Sequence, residues 1–275
     1  MTDRYAVFGN PIKHSKSPQI HSAFAQSTAQ DLIYEAIAVP EDSFNASVES
    51  FLTDKGKGLN ITIPFKQEAW TLAEVRSSRA ELAGAVNTLY RDEQGRLCGD
   101  NTDGIGMVRD IVRNHGGTIK DKKVLILGAG GAVRGVLQPV LEQKPSQLVI
   151  ANRTASKAAE LADLVADLGD VTGCGFDTLS GQCFDLVING TAASLQGEVP
   201  PLPEGILADN AWCYDMMYSA EPTAFCIWAD KNGAEKSIDG LGMLVEQAAQ
   251  SFQIWRGVEP DSQAVIKQLR SALTG

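Results

Sequence analysis

The run Gly128-Ala129-Gly130-Gly131-Ala132 follows the apolar stretch Val124-Leu-Ile-Leu127 and precedes a helical pattern. Strand, glycine turn and helix, in that order, is the context in which a glycine-rich motif holds a pyrophosphate at a helix N-terminus. Gly128 permits the tight turn and Gly130 lets the backbone approach the phosphates. Val133 stands where the pattern wants a small residue, so the helix is expected to sit slightly away from its strand. The next strand should end on the residue that reads the adenosine ribose. A carboxylate there binds a free 2′-hydroxyl and selects NAD. This strand end instead offers Asn152-Arg153-Thr154 and then Lys157, with Thr154 reading as a helix N-cap. Cations near a helix N-terminus oppose its dipole unless an anion sits there. Arg153 and Lys157 therefore point to NADP, whose 2′-phosphate they would grip with charge-assisted bonds. The alternative is a solvated basic surface. Arg134 reads equally as added positive field near the phosphates or as an ordinary surface arginine.

A second group of polar residues lies nearer the start of the chain. Ser15 and Ser17 immediately precede a helical pattern, and their hydroxyls with the helix N-terminus would suit a carboxylate. Read more plainly, Ser17 is an N-cap and Ser15 faces solvent. Asn60 and Thr62 share one face of an apparent strand, Ile61 and Ile63 the other. Lys66 follows that strand's end, where ligands of α/β sheets bind. Asn87-Thr88 and the run Gly99-Asp-Asn-Thr-Asp103-Gly104 complete the set. A lysine and an aspartate that converge can do general acid-base work. Asp103 and Asp100 compete for the aspartate's part, and spacing alone does not bring either to Lys66.

The elements that must position these residues read as βαβ units around a mostly parallel sheet. Strands are expected over 5–8, 32–39 and 58–63, with helices over 17–26 and 41–52. A hairpin over 86–90 and 96–98 follows, then a helix over 105–114. The pattern restarts with strands over 123–127, 147–151, 185–188 and 212–215. Helices over 132–143 and 154–168 lie between the first of these. Helices over 241–255 and 262–273 end the chain. The organisation is therefore two α/β lobes. Residues 1–104 with the returning helices of 241–275 form one, and a Rossmann-like dinucleotide-binding lobe over 105–240 forms the other.

Composition limits the functions available. The 275 residues carry 24 Lys plus Arg against 34 Asp plus Glu, a net charge of -10, which argues against nucleic acid or an anionic membrane as partner. No apolar run approaches the roughly 18 residues of a membrane span, and the first residues lack the pattern of a signal peptide. Five irregularly spaced cysteines suggest reduced thiols in a cytoplasmic protein. The three histidines, His14, His21 and His115, have no zinc-site spacing, so no metal is expected.

Taken in order, seven motifs carry a resemblance that covers essentially the whole chain. They are Gly9-Asn-Pro-Ile-Lys-His-Ser-Lys-Ser-Pro18, Asn60-Ile-Thr-Ile-Pro-Phe-Lys66, Gly84-Ala-Val-Asn-Thr88, Gly99-Asp-Asn-Thr-Asp-Gly104, Gly128-Ala-Gly-Gly-Ala132, Asn152-Arg-Thr154 with Lys157, and Asp239-Gly-Leu-Gly-Met-Leu-Val-Glu-Gln247. The chain resembles the NADP-dependent shikimate dehydrogenase family. The resemblance implies reversible reduction of 3-dehydroshikimate to shikimate, on the route to chorismate and the aromatic amino acids, by a monomer or homodimer. It implies that Ser15 and Ser17 hold the substrate carboxylate with Tyr218 nearby. It places Asn60, Thr62, Asn87, Asp103 and Gln247 on the ring hydroxyls and makes Lys66 and Asp103 the catalytic pair. It gives Gly128 to Ala132, Asn152, Arg153, Thr154, Lys157 and Thr191 to NADP, with Met216 and Gly240 lining the nicotinamide. Three positions depart from the family pattern: Val133, the run Asn189-Gly-Thr-Ala-Ala-Ser194, and Ser22 after His21. The rival readings are a relative that accepts quinate or NAD, and a non-catalytic NADP-binding regulatory module.

Overall fold

The computed structural model describes residues 2–275. The first part of the chain runs β1 (Asp3–Gly9), α1 (Ser17–Ser27), β2 (Leu32–Ala38), α2 (Phe44–Thr53), β3 (Gly56–Ile61), α3 (Lys66–Leu72), β4 (Val75–Arg76), α4 (Ser78–Ala83), β5 (Thr88–Arg91), β6 (Leu97–Asp100) and α5 (Asp103–Arg109). It continues with β7 (Lys123–Leu127), α6 (Gly131–Glu142), β8 (Gln147–Ala151), α7 (Ala155–Leu164), β9 (Val171–Cys174), β10 (Phe184–Asn189), β11 (Leu207–Asp215), α8 (Ala224–Lys231), β12 (Lys236–Ile238), α9 (Leu241–Arg256) and α10 (Ser262–Thr274). Two compact units result. One holds the chain up to Gly106 with Val245–Lys267, and the other holds Met107–Leu244 with Gln268–Gly275.

The first unit has a six-stranded sheet in the order β2-β1-β3-β5-β6-β4. Strands β2, β1 and β3 are parallel, and β5 joins β3 and β6 antiparallel. Alternation along β1 sends Ala6 and Phe8 to one core and Tyr5 and Val7 to another, so both faces are covered. On one face Phe44 of α2 stacks on Phe65, just before α3, at 4.8 Å. Each such buried ring contributes about 1.5–3 kcal/mol over leaving it exposed. On the other face Trp255 of α9 stacks on Tyr5 at 4.8 Å.

The second unit has a wholly parallel sheet in the order β12-β11-β10-β7-β8-β9. Counted within the unit from β7, this is the 3-2-1-4-5-6 order of the doubly wound dinucleotide fold. Val124, Leu125, Ile126 and Leu127 of β7 are fully buried, as a central strand covered on both faces requires. The strand order reverses between β7 and β10, and ligands of such sheets bind outside the strand ends at that point.

Several sequence expectations need correction. Helix α1 begins at Ser17 with Lys16 in the N-cap position, so Ser17 is not the cap. Ser15 Oγ accepts the Ser17 N–H instead, at 3.3 Å. Strand β3 stops at Ile61 rather than running to Ile63, so Ile63 does not share a strand face with Ile61 and is 66% exposed. Thr62 to Phe65 turn there instead, with Phe65 N donating to Thr62 O. The expected helix over 105–114 is α5 followed by a π-helical turn at Asp110–Asn114. The buried Asp110 carboxylate holds that turn through Asn114 Nδ2 and Tyr214 Oη. The helix over 154–168 divides into α7 and a 3-10 turn at Ala166–Leu168. Val133 does not push α6 outward. It is fully buried, and a Cβ at Gly190 would lie only 2.4 Å from its Cγ2, so the missing side chain at Gly190 makes the room.

Candidate active site

In the first unit, Lys66 opens α3 and Asp103 opens α5. Lys66 Nζ donates to Asp103 Oδ2 at 2.6 Å, and the two side chains keep 29% and 18% of their exposure. The pair is thus reachable by a small molecule while its geometry is fixed from within. Asn87 Nδ2 donates to Asp103 Oδ1 at 2.8 Å and lies 3.4 Å from Gln247 Oε1. Asp100 is not the partner of Lys66. It is buried, paired with Arg79 at 2.6 Å, and bonded to Ser77 Oγ.

Behind this pair lies a buried polar network. Asn60 Nδ2 donates toward Asn87 O, Thr88 Oγ1 and Ser251 Oγ at 3.1, 3.2 and 3.0 Å. Because Asn87 O can only accept, the orientation of the Asn60 amide is fixed. Tyr34 Oη donates to Asn60 Oδ1 at 2.7 Å. Thr88 Oγ1 donates to Asn87 Oδ1 at 2.8 Å and shares a hydrogen bond of the same length with Ser251. Satisfied networks of this kind rigidify what they hold. Burial pushes the Tyr34 phenol well above its ordinary value, and a hydrogen bond with Ser17 opposes that shift.

His21 stacks on Tyr34 at 4.1 Å, and neither ring nitrogen makes a well-formed hydrogen bond. Burial drives its pKa down to about 3, with the nearby Asn60 amide opposing the shift. The imidazole is therefore neutral in the folded protein near neutral pH. Ser15 and Ser17 stand at the start of α1, whose first turn carries no acidic residue. Among the described residues Thr62 Oγ1 makes no hydrogen bond.

In the second unit, Gly128 directly follows β7 with a φ of 105°, a conformation open to glycine and few other residues. Gly130 is the N-cap of α6, and a Cβ on Gly130 or Gly131 would meet nothing within 4 Å. The helix N-terminus thus has room beside both glycines and no side-chain cap, which fits a pyrophosphate over Gly128, Ala129, Gly130, Gly131 and Ala132. Thr154 is the N-cap of α7, as expected, but its side chain makes no capping bond, and α7 has no acid in its first turn. Asn152 Nδ2 donates to Thr154 O. Arg153 and Lys157 are exposed and form no ion pair among the described residues, which fits a phosphate between them.

Across the switch point Thr191 gives its N–H and hydroxyl to Asn189 Oδ1. Met216 N donates to Asn189 O, and Gly240 N to Met217 O. A Cβ at Gly240 would lie 2.3 Å from Met216 O, so only glycine fits beside that loop. Tyr218 is half-buried on the same loop, its phenol raised by burial and then by Asp239.

Sequence reasoning named Asn60, Asn87, Lys66 and Asp103 but missed Tyr34 and Ser251, which hold Asn60. Tyr34 reads as an ordinary core aromatic, and Ser251 as a helix serine. No metal-binding cluster and no helix long and apolar enough to cross a membrane occurs among the described residues.

Residues 7–89 match the shikimate dehydrogenase substrate binding domain, residues 110–196 the shikimate / quinate 5-dehydrogenase model, and residues 240–270 the shikimate 5'-dehydrogenase C-terminal domain. A shikimate dehydrogenase (NADP(+)) of Alkalilimnicola ehrlichii is 57% identical over 98% of this chain and 99% of its own length. One from Cellvibrio japonicus is also 57% identical, over 99% of both chains. Among solved structures, the shikimate 5-dehydrogenase of Thermus thermophilus in complex with NADP(H) and shikimate superposes with a TM-score of 0.86 at 30% identity, covering 99% of this chain and 100% of that one. With likeness of this degree along nearly its whole length, the chain belongs to the shikimate dehydrogenase family.

Proposed function

We propose that the protein catalyses the reversible NADPH-dependent reduction of 3-dehydroshikimate to shikimate. The observation that carries this reading is the 2.6 Å contact of Lys66 Nζ with Asp103 Oδ2, on a pair still open to a small ligand. When bound, NADPH supplies a hydride to the C3 carbonyl carbon. Lys66, as ammonium, holds the carbonyl oxygen and gives it a proton as negative charge develops there. Asp103 keeps Lys66 in place and is itself held by Asn87. Asn60, Thr62, Asn87 and Gln247 recognise the ring hydroxyls, and Ser15, Ser17 and Tyr218 the carboxylate. We assign substrate recognition to the unit carrying Lys66 and the dinucleotide to the unit carrying Gly128. Arg153 and Lys157 take the 2′-phosphate, while Met216 and Gly240 line the nicotinamide. All five cysteines are free, and we place the reaction in the reducing cytoplasm.

Lys66→Ala tests the assignment. Turnover should fall by about 10²–10⁴-fold, with NADP affinity nearly unchanged. Near-normal turnover in the folded variant would overturn it.

A further inference from the structure

A carboxylate without a cation lies at the end of β11. Asp215 is fully buried. Its Oδ1 accepts from Asn189 Nδ2 at 3.0 Å and from Met217 N at 3.1 Å. Its Oδ2 accepts from Ser194 Oγ at 2.7 Å and from Thr223 Oγ1 at 2.6 Å. No lysine, arginine or histidine pairs with it among the described residues. Burying a lone carboxylate is costly, and here four neutral donors make it tolerable without cancelling its charge.

Each donor belongs to a different segment. Asn189 ends β10 and also holds Thr191. Ser194 sits on the turn that follows. Met217 comes directly after Met216. Thr223 caps α8 by accepting the Cys226 N–H. Asp215 thus ties together the loops that the proposed function gives to Thr191 and Met216. Neutral groups could tie loops equally well, so the charge calls for a separate reason. A nicotinamide ring carries a positive charge when oxidised and none when reduced.

We propose that Asp215 is a positioning residue for the nicotinamide end of the cofactor, and that its buried, cation-free charge makes the protein favour the oxidised ring over the reduced one. The inference rests on the assignment of Met216 to the nicotinamide. A residue that merely holds the fold would move the affinity for both cofactor forms together. A charge acting on the ring moves their ratio. A unit charge acting over about 10 Å of protein-like medium changes such a preference by roughly tenfold.

The test measures dissociation constants for NADP+ by calorimetry and for NADPH by its fluorescence, with no turnover required. The proteins are the wild type, Asp215→Asn and Thr223→Val. Asp215→Asn keeps the shape and removes the charge, so NADP+ should weaken about tenfold relative to NADPH. Thr223→Val loosens the same hub but keeps the charge, and should leave the ratio within twofold. An unchanged ratio in folded Asp215→Asn overturns the inference, as does an equal change of ratio in Thr223→Val. If Asp215→Asn does not fold, Asp215→Ser decides. It also removes the charge, so NADP+ should again weaken about tenfold relative to NADPH, and an unmoved ratio overturns the inference. A wild type that binds neither form would instead sink the proposed function.

Discussion

Gly190→Ala should destabilise the second unit through a single clash with Val133. The new Cβ would lie 2.4 Å from Val133 Cγ2, 3.1 Å from Met216 Sδ and 3.3 Å from Leu127 O. Carbon atoms pack at about 3.5–4.0 Å, so the overlap with Val133 exceeds an ångström. Val133 cannot easily turn away, because a β-branched residue in a helix has one strongly preferred χ1. It is fully buried, as is Leu127, and Met216 keeps only 7% exposure. Overpacking of this kind costs about 1–3 kcal/mol. Gly190 is not among the residues with positive φ, so its backbone accepts alanine without strain. Stiffening the unfolded chain returns about 0.4–1 kcal/mol. The net loss, up to about 2.6 kcal/mol, should lower Tm by up to roughly 10 °C at about 2–4 °C per kcal/mol. Because Met216 is one of the residues struck, KM for NADP should rise as well. Val133→Ala alone opens a small cavity costing about 1–2 kcal/mol. The double variant removes both faults, since each change relieves the other. Thermal and denaturant unfolding of the four proteins form a double-mutant cycle, and the coupling should be at least about 1 kcal/mol in the favourable direction. Additivity within about 0.5 kcal/mol would refute the packing argument.

Three further outcomes follow from the same geometry. Arg153→Ala should raise KM for NADP by roughly 10–100-fold, the scale of a lost charge-assisted bond, and change KM for NAD little; equal weakening of both would refute the 2′-phosphate assignment. His21 is neutral when folded, with a pKa of about 3 against 6.5 in the open chain. Below pH 6.5 the unfolded chain therefore takes up a proton that the folded protein refuses, and stability falls by about 1.4 kcal/mol per pH unit toward pH 3. His21→Phe keeps an aromatic ring against Tyr34 and should flatten that slope by one proton in urea melts at several pH values; an unchanged slope contradicts the burial argument. Tyr34→Phe leaves Asn60 Oδ1 without its 2.7 Å donor, at a cost of about 1–3 kcal/mol. It should raise KM for shikimate more than KM for NADP, and a rise in neither would detach the network from substrate binding.

The parts of the fold legible in the sequence are those with a strong local signal. Strand β7 is four buried aliphatic residues running into a glycine turn, and helix α6 follows it with a clear apolar face. Strands β4, β9 and β12 escape notice because they are two to four residues long and include Arg76, Gly173 and Lys236. They are strands because a neighbour pairs with them, which is a tertiary fact. The site divides the same way. Glycines at a strand end and cations before a helix are local patterns with a physical meaning. Lys66 and Asp103 stand 37 positions apart, and Asn60 and Ser251 stand 191 apart. Neither meeting can be read from spacing: residue types made the first a candidate with Asp100 as rival, and the family resemblance singled out Asp103. Val133 looked wrong by itself because its answer, Gly190, lies beyond another strand.

The most direct test follows the absorbance of NADPH with purified protein and shikimate plus NADP. Parallel cuvettes replace NADP by NAD, or shikimate by quinate. Rapid appearance of NADPH from shikimate and NADP, with much slower reduction elsewhere, is the predicted result. No reduction in any cuvette by protein that still binds NADP would contradict it and make the chain a binding module.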